Sequence, residues 1–170
     1  FPYTTLFRST PNIVARGELG RYSLNVNKYT RIIKYWIRCI TQVDNVILDN
    51  VYKYQLGLAE KNLDCWALRV KLLLFTDGFG HVCMEQRVVN VNQFLKHFKQ
   101  RCIDIDVQNW FLDLNKYSKL DMYRHVKVCF GEELYFNIVT VKAYCTALCK
   151  LRCSNHNLMI EYRSEEHTSE

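Results

Sequence analysis

Cys145, Cys149, Cys153 and His156 are the closest grouping of potential metal ligands in the chain, at spacings of four, four and three. A structural zinc site needs ligands two to four residues apart on a knuckle, closed by a distant second pair. Three thiols at helical spacing instead run along one face for about 12 Å, at ~1.5 Å per residue, too far apart to converge on one ion. They read as core cysteines, and no metal is assigned. Asp104 and Asp106 flank Ile105. On a strand they could share a divalent ion, but on a helix they diverge by about 200° and read as solvated charge. Asp77-Gly78-Phe79-Gly80-His81 lacks the further glycine and lysine of a phosphate loop, and a helix terminus explains it. His81, His97, His125 and His156 have no nucleophile or acid at a spacing that specifies a triad. No catalytic residue is nominated.

The basic residues have more functional content. Lys28, Arg31, Lys34 and Arg38 recur at spacings of three and four, opposite an apolar stripe of Tyr29, Ile32, Ile33, Trp36, Ile37 and Ile40. Such a helix buries one side and can neutralise successive phosphates with the other, giving a salt-sensitive, sequence-independent affinity. Lys96, Lys99 and Arg101 form a second basic cluster. Aromatic rings between basic residues can stack on unpaired bases, although most rings here fall on apolar stripes. These seven residues are the nucleic-acid contacts that the sequence nominates, and no cofactor is implied.

The elements that must position them are helical. Arg16-Gly17-Glu18-Leu19-Gly20-Arg21-Tyr22, with two glycines in four positions, reads as a leading loop. A helix follows over the Tyr29–Ile40 stripe. A weaker one runs from Asp44 to Leu58, with Ile47, Val51, Tyr54 and Leu58 along one side. Asn62-Leu63-Asp64 is a candidate cap for a helix carrying Trp66, Val70, Leu73 and Leu74, which Gly78 can end at positive φ. His81 to Met84 fits a strand or a helix equally. Val91, Phe94, Leu95, Phe98, Cys102 and Ile105 mark the longest helix, about Asn90 to Leu114. Ser118-Lys119-Leu120-Asp121 has capping-box character, Glu132 and Glu133 favour a new helix start, and Ala143 to Cys153 closes as a helix. The expectation is all-α: an irregular bundle of five to seven helices without internal repeats.

Nearly half the residues are apolar, and there are only 6 Gly and 2 Pro, which excludes a disordered or low-complexity chain. The 8 cysteines fall largely within apolar helical patterns, which favours free cytosolic or nuclear thiols. No apolar run is long enough for a membrane span. The termini stand apart. Phe1 to Ser9 is what the end of a common short-read library adapter encodes, and Arg163 to Glu170 is the start of its partner. Residues 1–9 and 163–170 are therefore read as adapter-derived, leaving 10–162 as a single helical domain cut from a longer reading frame. Without those ends the net charge rises from +6 to about +7, which favours an anionic partner.

Gly17-Glu18-Leu19-Gly20-Arg21-Tyr22, Tyr35-Trp36, Cys65-Trp66 and Gly78-Phe79-Gly80-His81-Val82 occur in that order. Phe94-Leu95-Lys96, Phe98 through Asp104, Gln108-Asn109-Trp110 and the closing Leu148 through Glu161 continue the series. Together they resemble the region downstream of the reverse transcriptase in non-LTR (LINE-type) retrotransposon polyproteins, over Asn12 to Glu161. The resemblance implies an intracellular parent polyprotein, with endonuclease and reverse transcriptase upstream, that copies its RNA at a nicked chromosomal target. The aromatic-Ala-Asp-Asp polymerase loop of that family is absent here, so a non-catalytic piece is implied. Relatives continue into a Cys-Pro-x-Cys zinc knuckle beyond the Ile-Glu segment, and carry Thr-like and Leu-like residues where Cys149 and Cys153 stand. The implied partners are RNA or DNA and the remainder of the polyprotein, with no membrane and no small-molecule substrate. The alternative is a helical protein–protein scaffold that binds no nucleic acid.

Overall fold

The chain is all-α. The structure, a computed structural model, describes residues 11–42 and 44–153. Among the described residues are nine α-helices: α1 (Asn12–Glu18), α2 (Leu24–Thr41), α3 (Val46–Glu60), α4 (Trp66–Thr76), α5 (Gly80–Glu85), α6 (Val91–Leu114), α7 (Asp121–Val126), α8 (Tyr135–Ile138) and α9 (Lys142–Arg152). Among the same residues a single 3-10 turn, Ser118–Leu120, precedes α7, and the one extended pairing is an isolated bridge between Leu19 and Glu132. The count exceeds five to seven because α1, α5, α7 and α8 span at most seven residues each, too few for a 3.6-residue period to register. The adapter-like ends and His156 lie outside the described residues.

Two compact units divide the described chain, Tyr22–Val107 and residues 11–21 with 108–153. In the first, the α2 stripe is buried as its spacing requires: Ile33, Trp36 and Ile37 join Tyr52 and Ala59 of α3, Val70 and Leu74 of α4, and Phe98 and Cys102 of α6. The Trp36 indole N–H donates to the Tyr52 hydroxyl (2.8 Å), which donates to the Gln86 side-chain oxygen (2.6 Å), so the polar atoms inside this core are satisfied.

Several sequence expectations need correction in this unit. On α3 the buried face carries Tyr52 and Ala59, while Ile47, Val51 and Tyr54 are 77%, 53% and 68% exposed. Both faces of α3 are apolar, and periodicity alone could not choose between them. Asn62 is no cap for α4. It stands at φ 53° past the end of α3, where the Leu63 amide donates to the Leu58 carbonyl (3.0 Å). The cap of α4 is Cys65, whose sulfur accepts from the Leu68 amide, and Asp64 instead pairs with exposed Arg69. Gly78, at φ 89°, ends α4 as expected, and His81 to Met84 lie in α5. Asn90 caps α6 by accepting from the Gln93 amide.

The buried carboxyl of Asp77, at the C-terminal end of α4, accepts from the Cys102 thiol at 3.7 Å. Burial raises its pKa above the ordinary aspartate value, against smaller lowering by the Cys102 hydrogen bond and the Arg101 charge. A raised folded pKa favours folding when the group is protonated, below its unfolded pKa, and that contribution is lost as pH rises through the folded value. Ionised Asp77 therefore costs stability at neutral pH. Asp77→Asn should raise the urea midpoint at pH 7, and the gain should shrink toward zero below about pH 3.9, the ordinary aspartate value. A gain independent of pH would contradict this assignment.

In the second unit, Val14 of α1, Trp110 and Leu114 of α6, Tyr123 of α7 and Cys149 of α9 are buried together. The Trp110 indole donates to the Ile13 carbonyl at 2.7 Å. The leading loop begins only after Glu18, because Arg16, Gly17 and Glu18 belong to α1. Ser118 to Asp121 form no capping box: α7 has no side-chain cap, and the Asp121 carboxylate binds Arg124. A helix does begin just after Glu132 and Glu133, with α8 opening at Tyr135, and Glu133 is ion-paired to Lys127 and Arg152.

Candidate nucleic-acid interface

Helix α2 holds 18 residues, four of them cationic and none acidic. Its greasy side, Val26, Ile33, Trp36 and Ile37, is buried in the first unit and fixes the rotation of the helix. The opposite side must then face water. Lys28, Arg31, Lys34 and Arg38 are all exposed, and at about 100° per residue they share an arc of roughly 120°. The Lys28 ammonium lies 5.4 Å from the Tyr29 ring centre, and the Arg38 guanidinium holds the Gln42 side-chain oxygen at 2.8 Å. Among the described residues, no carboxylate pairs with any of the four. The face is an uncompensated strip of positive charge about 15 Å long at ~1.5 Å per residue.

The second cluster is less coherent. Lys96, Lys99 and Arg101 are exposed on α6, but helical geometry turns Arg101 about 200° from Lys99. Asp104 is solvated, as expected, and accepts from Gln100 at 2.8 Å. Asp106 is not: its carboxylate accepts the Ser23 amide N–H at 2.9 Å, which fastens the start of α2 to α6.

Tyr35 was not nominated as a contact, yet it lies inside the basic arc, between Lys28 and Arg38 on the helical wheel. It is 50% exposed. Its ring makes an edge contact with Trp66 at 5.5 Å. The signal was present in the sequence as one further step of seven residues from Lys28, but an aromatic beside Trp36 is easily assigned to the core.

The remaining clusters offer no site. Cys145, Cys149 and Cys153 are buried, and among the described residues no three His, Cys, Asp or Glu side chains converge to hold a metal. Burial pushes the Cys39 and Cys83 thiols up, and burial with Asp77 alongside pushes Cys102 up to about 12. The hydrogen bond from Cys153 to Cys149 raises the donor's pKa and lowers the acceptor's. In a recess beside Trp36, Tyr52, Cys83 and Gln86, the Trp36, Tyr52 and Gln86 side chains are hydrogen-bonded in a chain that ends on the Cys83 carbonyl.

In the second unit Glu18, Glu133, Lys127 and Arg152 form a balanced ionic cluster. The Arg152 guanidinium meets Glu18 at 3.1 Å and Glu133 at 3.2 Å, Lys127 binds Glu133, and the Tyr135 hydroxyl donates to Glu18. Sequence reasoning missed this cluster because Glu18 and Arg152 are 134 residues apart. Comparison of the chain with protein-family models, curated proteins and solved structures finds no match. Among the described residues, no helix is long and apolar enough to cross a membrane.

Proposed function

We propose that this chain is a non-catalytic helical accessory segment of a retrotransposon reverse transcriptase polyprotein that holds RNA or DNA against the basic face of α2. The observation that carries the binding is the strip of Lys28, Arg31, Lys34 and Arg38 on a helix without a single acid. Four exposed cations on one rigid rod match the repeated charge of a phosphate backbone and ask nothing of base sequence. Lys96 and Lys99 add charge on α6, with Arg101 turned away from Lys99. Parentage rests on the resemblance of the Gly17–Tyr22, Gly78–Val82 and Phe94–Trp110 segments, and it assigns the copying chemistry to other parts of the polyprotein.

The second reading, a protein scaffold, is favoured by the exposed Ile47, Val51 and Tyr54 on α3. Charge reversal separates the two. Replacing Lys28, Arg31, Lys34 and Arg38 by Glu should weaken binding of single-stranded RNA and duplex DNA at 50 mM salt by about a hundredfold or more. The circular dichroism and melting temperature should change little, because all four side chains lie in solvent. Unchanged affinity in a folded variant would remove this face from the account.

A further inference from the structure

We propose that the α2 face prefers single-stranded to duplex nucleic acid, and that Tyr35 is the side chain on which one unpaired base stacks. The proposal rests on the nucleic-acid reading above and goes beyond it by naming the strand form. Tyr35 is the aromatic ring set within the cationic arc, half in solvent, flanked by Lys28 and Arg31 on one side of its turn and by Arg38 on the other. A duplex offers such a face only phosphates and sugars, since the flat faces of its bases are covered by their neighbours. A single strand offers phosphates to the cations and an open base face to the ring, and stacking of this kind tolerates any base.

Two details fit that role. The cations span about 15 Å, or about four nucleotides at 3.4 Å per stacked nucleotide, so one ring sits amid several phosphates. The ring is also held in advance by the Trp66 edge at 5.5 Å, so that less side-chain freedom is lost on binding.

The test uses the full chain and fluorescence-labelled oligonucleotides of twelve nucleotides, single-stranded RNA, single-stranded DNA and the matching DNA duplex, at one fixed salt concentration. Tyr35→Leu keeps bulk but removes the ring. It should weaken single-strand binding by about 5- to 150-fold, the value of one stacked base, and leave duplex binding within about twofold. Tyr35→Phe should bind single strands like the parent. Should Tyr35→Leu fold poorly, an abasic strand supplies the same comparison on the unmodified chain, with an expected loss of the same size. Equal loss on single strand and duplex, or abasic and normal strands bound alike, overturns the stacking proposal while leaving the basic face intact. Loss of no affinity in the Lys28, Arg31, Lys34 and Arg38 charge reversal overturns the reading beneath it. Similar affinity for RNA and DNA strands is the expected result, because the ring and the cations ignore the 2′-hydroxyl; a strong preference for one sugar would contradict recognition by stacking and charge alone.

Discussion

Glu18→Gln should destabilise the protein by about 3–5 kcal/mol, the range for breaking a buried ion pair from one side. Glu18 has no solvent exposure, and its carboxylate faces the Arg152 guanidinium and the Tyr135 hydroxyl. It also stands at the C-terminal end of α1, where the helix dipole disfavours negative charge, so Arg152 must offset an unfavourable local field. Amidation leaves a neutral oxygen that can still accept from Tyr135, but it strands the guanidinium between the Tyr123 and Tyr135 rings, 5.9 and 5.7 Å from their centres, with Glu133 as its remaining anion. Total stability of a small protein is about 5–15 kcal/mol, so the loss should be visible as a large fall in the urea midpoint. Arg152→Met in the Glu18→Gln background should restore part of it, since the second change removes the excess positive charge and leaves Lys127 paired with Glu133. A Glu18→Gln protein within about 0.5 kcal/mol of the parent, the scatter of ordinary surface substitutions, would show that the cluster contributes nothing.

Gly17→Ala should also destabilise, by a net of up to about 2 kcal/mol, and here the sign is the informative part. Gly17 lies inside α1, where helix propensity alone makes alanine better by about 1 kcal/mol. A β-carbon at this position would overlap the Trp110 ring and stand 2.7 Å from the Tyr123 hydroxyl oxygen. Both side chains are fully buried, and Trp110 is tied by its indole N–H to the Ile13 carbonyl, so neither ring has room to yield. Overpacking of a rigid core costs about 1–3 kcal/mol, occasionally more. Gly57, within α3, is the control: an added β-carbon there meets nothing within 4 Å. Gly57→Ala should stabilise by about 1 kcal/mol. Two glycine-to-alanine changes of opposite sign, read from urea unfolding, would separate packing from propensity; two gains would refute the close contact at Gly17.

Legibility in the sequence followed the range of the interaction that decides each feature. The α2 stripe and the long α6 were plain because burial on one side of a long helix repeats the same signal several times. On α3 that logic failed, since Ile47, Val51 and Tyr54 compete with the Leu48, Tyr52 and Ala59 side, and only the partners across the core decide. Gly17 looked like a loop residue by composition, yet it is a contact point for residues about a hundred positions away. The capping assignments at Asn62–Asp64 and Ser118–Asp121 failed similarly, because Arg69 and Arg124 claimed the aspartates. For the candidate site, Lys28, Arg31, Lys34 and Arg38 followed directly from helical period. Tyr35 needed the observed exposure of its ring, and Arg101 needed the rotation of α6.

If the cationic arc of α2 meets phosphates, the affinity for single-stranded RNA must fall steeply as salt rises. Each phosphate contact on a single strand contributes about −0.7 to the slope of log affinity against log salt. The parent protein should show a slope of about −2.8 or steeper, and replacing Lys28, Arg31, Lys34 and Arg38 by neutral Gln should make it shallower by about 2.8. A slope that is the same in both proteins would place the contacts elsewhere and contradict the account.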